Sequence, residues 1–323
     1  MAPAPVVAYL IISDTSPERL TRLAAVLRAS TPRGVIAARH DHAGGTLDLR
    51  RLRELDVDLL ETASVERGSA AELMMHLRCI RRLLESARFD WLVLISGDDY
   101  PVRPIAEIEA ALAGADTDGF IETHPCEPPA TRRGVPVDEH ALRYHYRWSS
   151  PRRSRPLARA LAAALSPRLV VKATPAGVRI GVPAKRSPFR QPKHTLLTTP
   201  IRHNPLSSVR AERSPFGEGL ECRYGTARFV LKRRAVEMID AAVREHPELV
   251  LYYRDTLVPL ESYIHTVLAN DTSVSLRDES RRIEFSDAAD VDMVLTSGAD
   301  FAGPFDRGSD ALLDAIDARI HRV

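Results

Sequence analysis

Two short apolar segments constrain the fold of this chain more than any other feature. Val6–Ile12 and Trp91–Ile95 are continuous runs of apolar residues that do not alternate with polar ones. Such runs are typical of strands that are buried on both faces of a sheet. A helix start follows the first run, because Ser16-Pro17 offers an N-cap and a proline for the first helical position. Ser69, with Glu72 three residues later, forms a capping box ahead of the second run.

This alternation of strands and helices predicts an α/β protein with a mostly parallel sheet and helices on both faces. The 323 residues are interpreted as a single large domain with three sections, 1–122, 123–217 and 218–323. The middle section is rich in proline and arginine, and only Pro156–Leu165 has a helical pattern. It is interpreted as a long insertion, either a lobe that binds an acceptor or a surface excursion. In the last section, the pattern predicts strands near Ala227–Leu231 and Arg282–Phe285. It predicts helices near Arg234–His246, Pro259–Ala269 and Ser309–Ile320.

The charge balance excludes several classes of protein. Lysine and arginine number 45 against 43 for aspartate and glutamate, so the chain has no overall field that would attract nucleic acid or an anionic membrane. A hydrophobic fraction of 44% excludes a disordered or fibrous chain. Lysine occurs only four times. The preference for arginine fits GC-rich codon usage, or recognition of phosphate and carboxylate groups by guanidinium forks.

The sequence predicts a soluble, cytoplasmic protein without an integral membrane segment. No apolar stretch approaches the roughly 18 residues that a spanning helix needs, and no basic segment precedes the first apolar run. The three cysteines, Cys79, Cys126 and Cys222, have no partner at C-x-x-C spacing, which predicts a reducing compartment and argues against a structural zinc site. His40, Asp41 and His42 resemble metal ligands, but a polar turn after a strand explains them without a metal.

The first candidate site is the turn that follows the second apolar run. Ser96, Gly97, Asp98, Asp99 and Tyr100 come directly after a predicted central strand. In open α/β sheets, ligands bind in the crevice outside the carboxyl ends of the strands. Two carboxylates there are suited to holding a divalent metal or to accepting hydrogen bonds from sugar hydroxyls. Gly-Asp-Asp before proline is also ordinary turn chemistry.

Two further candidates lie near the C-terminal end of the sequence. Glu261 falls in the first turn of a predicted helix, where the helix dipole lowers the pKa of a carboxyl group and suits it to act as an ionised general base. Arg281 and Arg282 open a predicted strand; they could clamp a diphosphate, or could be a solvated pair. The sequence contains no Walker A, G-x-S-x-G, H-E-x-x-H or G-x-G-x-x-G motif.

The order of these motifs resembles one enzyme family. The chain is similar to the core-2/I-branching β-1,6-N-acetylglucosaminyltransferases, a family that also contains the peptide O-xylosyltransferases. Asp90–Arg103 resembles the family's strand that ends in S-G-x-D-Y-P, and Val258–Tyr263 resembles its V-P-D-E segment. Further similar segments are Ala8–Leu20, Gly225–Leu231, Arg282–Phe285 and Ser297–Asp306.

The resemblance implies a GT-A-like fold, a nucleotide-sugar donor, inversion at the anomeric carbon and no catalytic metal or other cofactor. It implies that Glu261 is the general base and that Arg282, with Arg281, contacts the diphosphate. The donor is UDP-N-acetylglucosamine as a first expectation and UDP-xylose as a second. Asp41, Ser96, Gly97 and Asp99 are expected to bind the donor, and Asp98, Tyr100, Gly225, Thr226 and Arg228 to line the sugar or acceptor pocket.

Some positions depart from the family pattern. The family's lysine in F-A-R-K-F-D is Pro304 here, so its phosphate contact would come from Arg307, Arg281 or Lys232. The usual tryptophan of the G-S-x-W-F segment is Arg228, and the acid before the catalytic glutamate is Leu260. Two alternatives therefore stay open, a metal-dependent transferase that uses Asp98 and Asp99, and a non-catalytic protein that binds sugar nucleotides. The acceptor is a hydroxyl-bearing molecule of unassigned class.

Overall fold

The computed structural model describes residues 5–14, 16–127, 131–132, 135–136, 139–149, 170–174, 177–181, 207–210, 214–284, 291–305 and 308–321. The helices are α1 (Pro17–Ser30), α2 (Leu49–Glu54), α3 (Ala70–Ser86), α4 (Ile105–Ala113), α5 (Glu139–Tyr144), α6 (Arg233–Glu245), α7 (Pro247–Tyr253), α8 (Leu260–Ala269), α9 (Val291–Thr296) and α10 (Asp310–Ile316). A 3-10 turn spans His42–Gly44, and a π-helical turn, Asp317–His321, follows α10.

The strands, in chain order, are β1 (Val7–Ser13), β2 (Val35–His40), β3 (Val57–Glu61), β4 (Trp91–Ser96), β5 (Tyr100–Pro101), β6 (Gly119–Phe120), β7 (His124–Pro125), β8 (Thr131–Arg132), β9 (Val135–Pro136), β10 (Tyr146–Ser149), β11 (Val170–Thr174), β12 (Gly177–Gly181), β13 (Ser207–Arg210), β14 (Arg223–Tyr224), β15 (Phe229–Lys232), β16 (Leu276–Arg277), β17 (Arg282–Glu284) and β18 (Phe301–Gly303).

The central sheet has seven strands in the order β16-β6-β15-β4-β1-β2-β3. Strands β3, β2, β1 and β4 are parallel, while β15 runs antiparallel to both β4 and β6. A second sheet joins β17, β18 and β5, and a short antiparallel ladder joins β7 and β14. This architecture confirms the predicted α/β class with a mostly parallel sheet.

Side chains from alternate positions of β1 and β4 enter two different cores. Tyr9 and Val93 belong to a core shared with α1, α4 and α10. Leu10 and Leu94, their neighbours in sequence, belong to a core shared with α3, α6 and α8. Successive side chains of a strand point to opposite faces, so a strand between two helical layers must be apolar throughout. This is the physical reason for the continuous apolar runs in the sequence.

The structure confirms the two predicted N-caps, Ser16 and Ser69, but the capping box at Ser69 is incomplete. The backbone N–H of Arg19 donates to Ser16 Oγ at 3.4 Å, and that of Glu72 donates to Ser69 Oγ at 3.3 Å. The side chain of Glu72 does not return to the backbone of Ser69, as a capping box would require. It accepts from the N–H of Gly68 at 2.5 Å instead, which draws the chain just before α3 against the helix.

Other expectations need correction. The predicted helix near Arg234–His246 is confirmed as α6, which ends before Pro247. Pro247 then begins α7, a helix that the sequence did not predict, since proline is well suited to the first position of a helix. In the middle section, α5 is a helix that the sequence did not predict. The predicted helix Pro156–Leu165 lies outside the described residues. Among the described residues, the helices are all too short or too polar to cross a membrane.

Gly97 lets the carboxyl ends of β4 and β1 approach each other closely. A Cβ atom on Gly97 would lie 2.7 Å from the Oγ and 2.8 Å from the Cβ of Ser13, and 3.3 Å from the Ser13 backbone. Its N–H donates to the carbonyl oxygen of Ile12 at 2.9 Å, which ties the turn to β1. The absence of a side chain at Gly97 thus allows β1 and β4 to pack closely at their carboxyl ends.

We expect Gly97→Ala to lower the free energy of unfolding by about 1–3 kcal/mol, the usual cost of forcing an extra carbon into a packed site. Chemical denaturation measures this loss. Gly114→Ala is the matched control, because its Cβ would make only ordinary contacts, at 3.9 Å. Equal free energies of unfolding for the two variants would show that the site around Gly97 has room for a methyl group.

Candidate active site

A cavity of about 400 Å³ opens at the carboxyl ends of β1, β2 and β4. This is the position at which parallel α/β sheets bind ligands. Several residues singled out in the sequence line it together, although they come from distant parts of the chain. They are Asp41, Ser96, Asp98, Asp99, Arg228, Glu261 and Arg282.

Asp99 is the centre of the charged part of this cavity. Its side chain is fully buried, and its two oxygens accept hydrogen bonds from Arg282 Nε at 2.6 Å and Arg228 Nε at 3.3 Å. The backbone N–H of Ser96 also donates to it, at 2.7 Å. One carboxylate therefore positions two guanidinium groups side by side. Arg282 has a second partner, Glu284 Oε1, at 2.8 Å.

Asp41 is held at the end of β2 by the loop that follows β3. It accepts hydrogen bonds from the N–H of Ala43 at 2.9 Å, Ser64 Oγ at 3.0 Å and the N–H of Val65 at 3.3 Å. Burial opposes its ionisation, but these hydrogen bonds and the nearby Arg39 together lower its pKa. Asp41 is consequently a fixed anion in the wall of the cavity.

Glu261 reaches the cavity from the first turn of α8, as the sequence predicted for its helix position. Its Oε2 lies 3.1 Å from Arg143 Nη1, and 39% of its side chain is exposed. The expected fall in its pKa at the helix N-terminus is wrong. Burial raises the pKa of Glu261, and the charges of Arg143, Arg228 and Arg67 offset that effect only in part.

Several lining residues escaped the sequence analysis. Arg143 comes from α5 of the insertion, and no motif marks it. Arg67 and Glu72 lie beside the cap of α3, where the pattern was interpreted as structural. Burial raises the pKa of Glu72, and it lowers the pKa of His76 to about 4, so that His76 is neutral near pH 7.

Five predicted site residues do not line the cavity. Tyr100 points away from it, donating a hydrogen bond to Asp317 Oδ1 at 2.7 Å. Arg281 is engaged with the buried Asp300, at 2.7 Å from Nε, and stacks near Phe120. The remaining three, which belong to turns beside the cavity, are Gly97, Gly225 and Thr226.

Gly225 supports Glu261 through the backbone. Its N–H donates to the carbonyl oxygen of Glu261 at 2.9 Å, and a Cβ on Gly225 would lie 2.2 Å from the carbonyl oxygen of Glu122 and 2.5 Å from Cε1 of His265. Thr226 continues this contact, since its carbonyl oxygen lies 2.9 Å from His265 Nε2. Both residues hold the first turn of α8 in place.

Pro304 occupies the position at which the family has a lysine that contacts phosphate. Pro304 lines the cavity, so the side chain there carries no charge. Of the three proposed substitutes, Arg281 pairs with Asp300, and Lys232 lies near the carbonyl oxygen of Ala115 and over the ring of Trp91. Arg307 lies outside the described residues. Among the described residues, Arg228 is the base that stands beside Arg282.

The comparisons with known proteins bear on this cavity. A family model described as Core-2/I-Branching enzyme matches residues 48–151. The match confirms the resemblance to this family. It supports a glycosyltransferase, and it includes the turn at Ser96–Asp99 and Arg143. Glu261 and Arg282 lie beyond the matched stretch.

Solved structures show only weak similarity. The inositol-1-phosphate CTP transferase from T. maritima is 11% identical, with 99% of each chain covered and a TM-score of 0.38. TarS 1-349 from S. aureus in complex with UDP-GlcNAc is 13% identical, with 40% of this chain and 38% of that chain covered and a TM-score of 0.27. Similarity at this level carries no argument about activity. A search of the curated proteins finds no match.

We expect Asp99→Asn to destabilise the protein by about 3 kcal/mol, because two guanidinium groups lose the anion between them. This value is at the lower end for a broken buried ion pair, since 28% of the Arg228 side chain is exposed. Urea unfolding provides the measurement. Asp98→Asn, on the same turn, is the control and should cost less; losses of equal size would contradict the central role of Asp99.

Proposed function

We propose that this chain is an inverting glycosyltransferase that moves a sugar from a UDP-sugar to an acceptor hydroxyl, with Glu261 as the general base. The observation that carries the proposal is the placement of Glu261 and the pair Arg228–Arg282 in one cavity at the strand ends. The family match, the resemblance of Val258–Tyr263 to the family's catalytic segment, and the cavity's position in the fold support it.

Glu261 has the properties that a general base needs. It must take a proton from the attacking hydroxyl on the face of the sugar opposite the leaving group. Burial raises the pKa of its carboxyl group, which increases its proton affinity, while Arg143 at 3.1 Å favours its ionised form. In this proposal Arg143 keeps the base charged before the acceptor binds.

Arg228 and Arg282 are proposed to stabilise the departing diphosphate. Negative charge develops on the leaving group in the transition state, and fixed cations at that point stabilise it without further reorganisation. Asp99 positions both guanidinium groups, and the exposed Glu284 is a second partner of Arg282 alone, so Arg228 shares only the Asp99 carboxylate. We propose that Arg228, which replaces the family's tryptophan, supplies the cation that is missing at Pro304.

The same contacts support a reaction that needs no catalytic metal. The alternative, a metal-dependent transferase, would use Asp98 and Asp99 as ligands. Both oxygens of Asp99 already accept hydrogen bonds from arginine side chains, so a metal ion would have to displace two cations. The resemblance favours N-acetylglucosamine as the donor sugar and xylose as the second choice.

We expect Glu261→Gln to lower kcat by about 10²–10⁴-fold, the usual contribution of a general base, because an amide cannot accept the proton. Binding of UDP should change little, since Asp99 still positions the two arginines. Transfer from UDP-N-acetylglucosamine and UDP-xylose to a panel of acceptors gives the rate, and calorimetry with UDP gives the affinity.

Glu237→Gln is the matched control, because Glu237 is an exposed helical carboxylate that pairs with Arg233 and does not line the cavity. Near wild-type turnover in Glu261→Gln would refute the assignment of the base. UDP binding with no transfer by the wild-type protein on any acceptor tested would favour the non-catalytic alternative.

The rate should depend on pH through Glu261. A general base works only when it is ionised, so kcat falls as the pH drops through the pKa of Glu261, which burial raises above its ordinary value. Arg143→Leu removes a charge that lowers this pKa and should shift the acid limb to higher pH. Arg78→Leu, which removes an exposed partner of Glu61, is the control and should leave the profile unchanged. An unshifted acid limb in Arg143→Leu would contradict this role for Arg143.

A further inference from the structure

Three buried side chains that the proposed reaction does not use meet behind Glu261. The Sγ atoms of Cys126 and Cys222 and a ring nitrogen of His145 all lie within 4.8 Å of one another. The three residues are at most 6% exposed, and none of them lines the substrate cavity. No sequence pattern marks this cluster, because its two cysteines lie far apart in the chain and neither belongs to a C-x-x-C motif.

Backbone pairing brings the two cysteines together. Strands β7 and β14 pair antiparallel, with Pro125 opposite Arg223, and the next pair in this register is Cys126 with Cys222. The N–H of Cys126 donates to the carbonyl oxygen of Cys222 at 2.8 Å, which fixes that register. His145 is placed by the end of α5, where its N–H donates to the carbonyl oxygen of Ala141 at 2.9 Å.

The donor set is one that borderline metal ions prefer. Zinc binds thiolate sulfur at about 2.3 Å and imidazole nitrogen at about 2.0–2.1 Å, and sites with two cysteines and one histidine are known. A bound histidine typically directs its other ring nitrogen to a carbonyl or carboxylate group. Nε2 of His145 already lies 3.2 Å from the carbonyl oxygen of Cys126.

We propose that Cys126, His145 and Cys222 bind one zinc ion, with the fourth position directed toward Ser262. Ser262 Oγ is 3.8 Å from Cys222 Sγ and 2.7 Å from the hydroxyl of Tyr253, so a polar group already borders that side of the cluster. A small contraction of the three side chains brings their donor atoms to zinc-binding distance.

The proposed zinc ion would have a structural role. Ser262 directly follows Glu261, and His145 lies two residues after Arg143, which pairs with Glu261. Zinc would therefore fasten the end of α5 to the β7–β14 ladder, beside the start of α8. It would support the segment that carries Arg143 without entering the substrate cavity.

The first test is the metal content of the full-length protein. After expression in zinc-supplemented medium and purification without chelator, mass spectrometry of the metals should find one zinc ion per chain in the wild type. Cys222→Ser and Cys126→Ser should lose it. Cys79→Ser is the matched control, because Cys79 is also buried but contacts Met75 in a different part of the core, and it should keep its zinc.

A second measurement does not depend on the folding of the variants. X-ray absorption at the zinc edge of the wild type should show two sulfur ligands at about 2.3 Å together with nitrogen or oxygen ligands. Removal of zinc should lower Tm, and its return should restore Tm, because a ligand that binds only the folded state stabilises it.

Three results would overturn the proposal. Wild-type protein without zinc but with reduced thiols would show that the cluster is only a hydrogen-bonded group. A disulfide between Cys126 and Cys222, detected in peptides digested without reductant, would assign the pair to redox chemistry. Equal zinc content in the wild type and in a Cys126→Ser/Cys222→Ser double variant would place the metal elsewhere.

Discussion

The buried carboxylate of Asp99 is the interaction on which the candidate site depends. Removing an ion from water costs several kcal/mol, and Asp99 is tolerated only because two guanidinium groups and one backbone N–H satisfy it. Such a pair adds little net stability compared with apolar packing. Its effect is positional, because Asp99 in the turn after β4, Arg228 just before β15 and Arg282 at the start of β17 meet at one point. The strand ends are thereby joined where a ligand's phosphates would lie.

A second charged pair sets the other side of the cavity. Glu261 comes from α8 and Arg143 from α5, so this side of the cavity depends on a contact between two distant parts of the chain. Burial raises the pKa of Glu261 while the arginine opposes that rise. The site therefore has one carboxylate, Glu261, beside an arginine, and a pair of arginines held by a second carboxylate, Asp99. This separation of roles is what an inverting transfer requires.

The sequence predicted the scaffold better than the site. Apolar runs and capping residues located β1, β4, α1 and α3, because local patterns determine those elements. Glu261 and Arg282 could be named because each matches a family segment. Arg143 and the cluster of Cys126, His145 and Cys222 could not, because they depend on pairing between distant segments. Tyr100 belongs to the S-G-x-D-Y-P segment and Arg281 precedes Arg282, yet their side chains turn away from the cavity toward Asp317 and Asp300.

If the proposed function is right, the arginines of this cavity bind a nucleoside diphosphate without a divalent cation. The most direct test is a thermal-shift titration with UDP, two UDP-sugars and a GDP-sugar, each with Mn²⁺ and with EDTA, and each compared with the same buffer without nucleotide. A ligand at 100 times its Kd stabilises the folded state by about 2.7 kcal/mol, which a melting curve resolves. We expect UDP and at least one UDP-sugar to raise Tm by the same amount in both buffers. A shift that requires Mn²⁺, or no shift with any nucleotide, would contradict it.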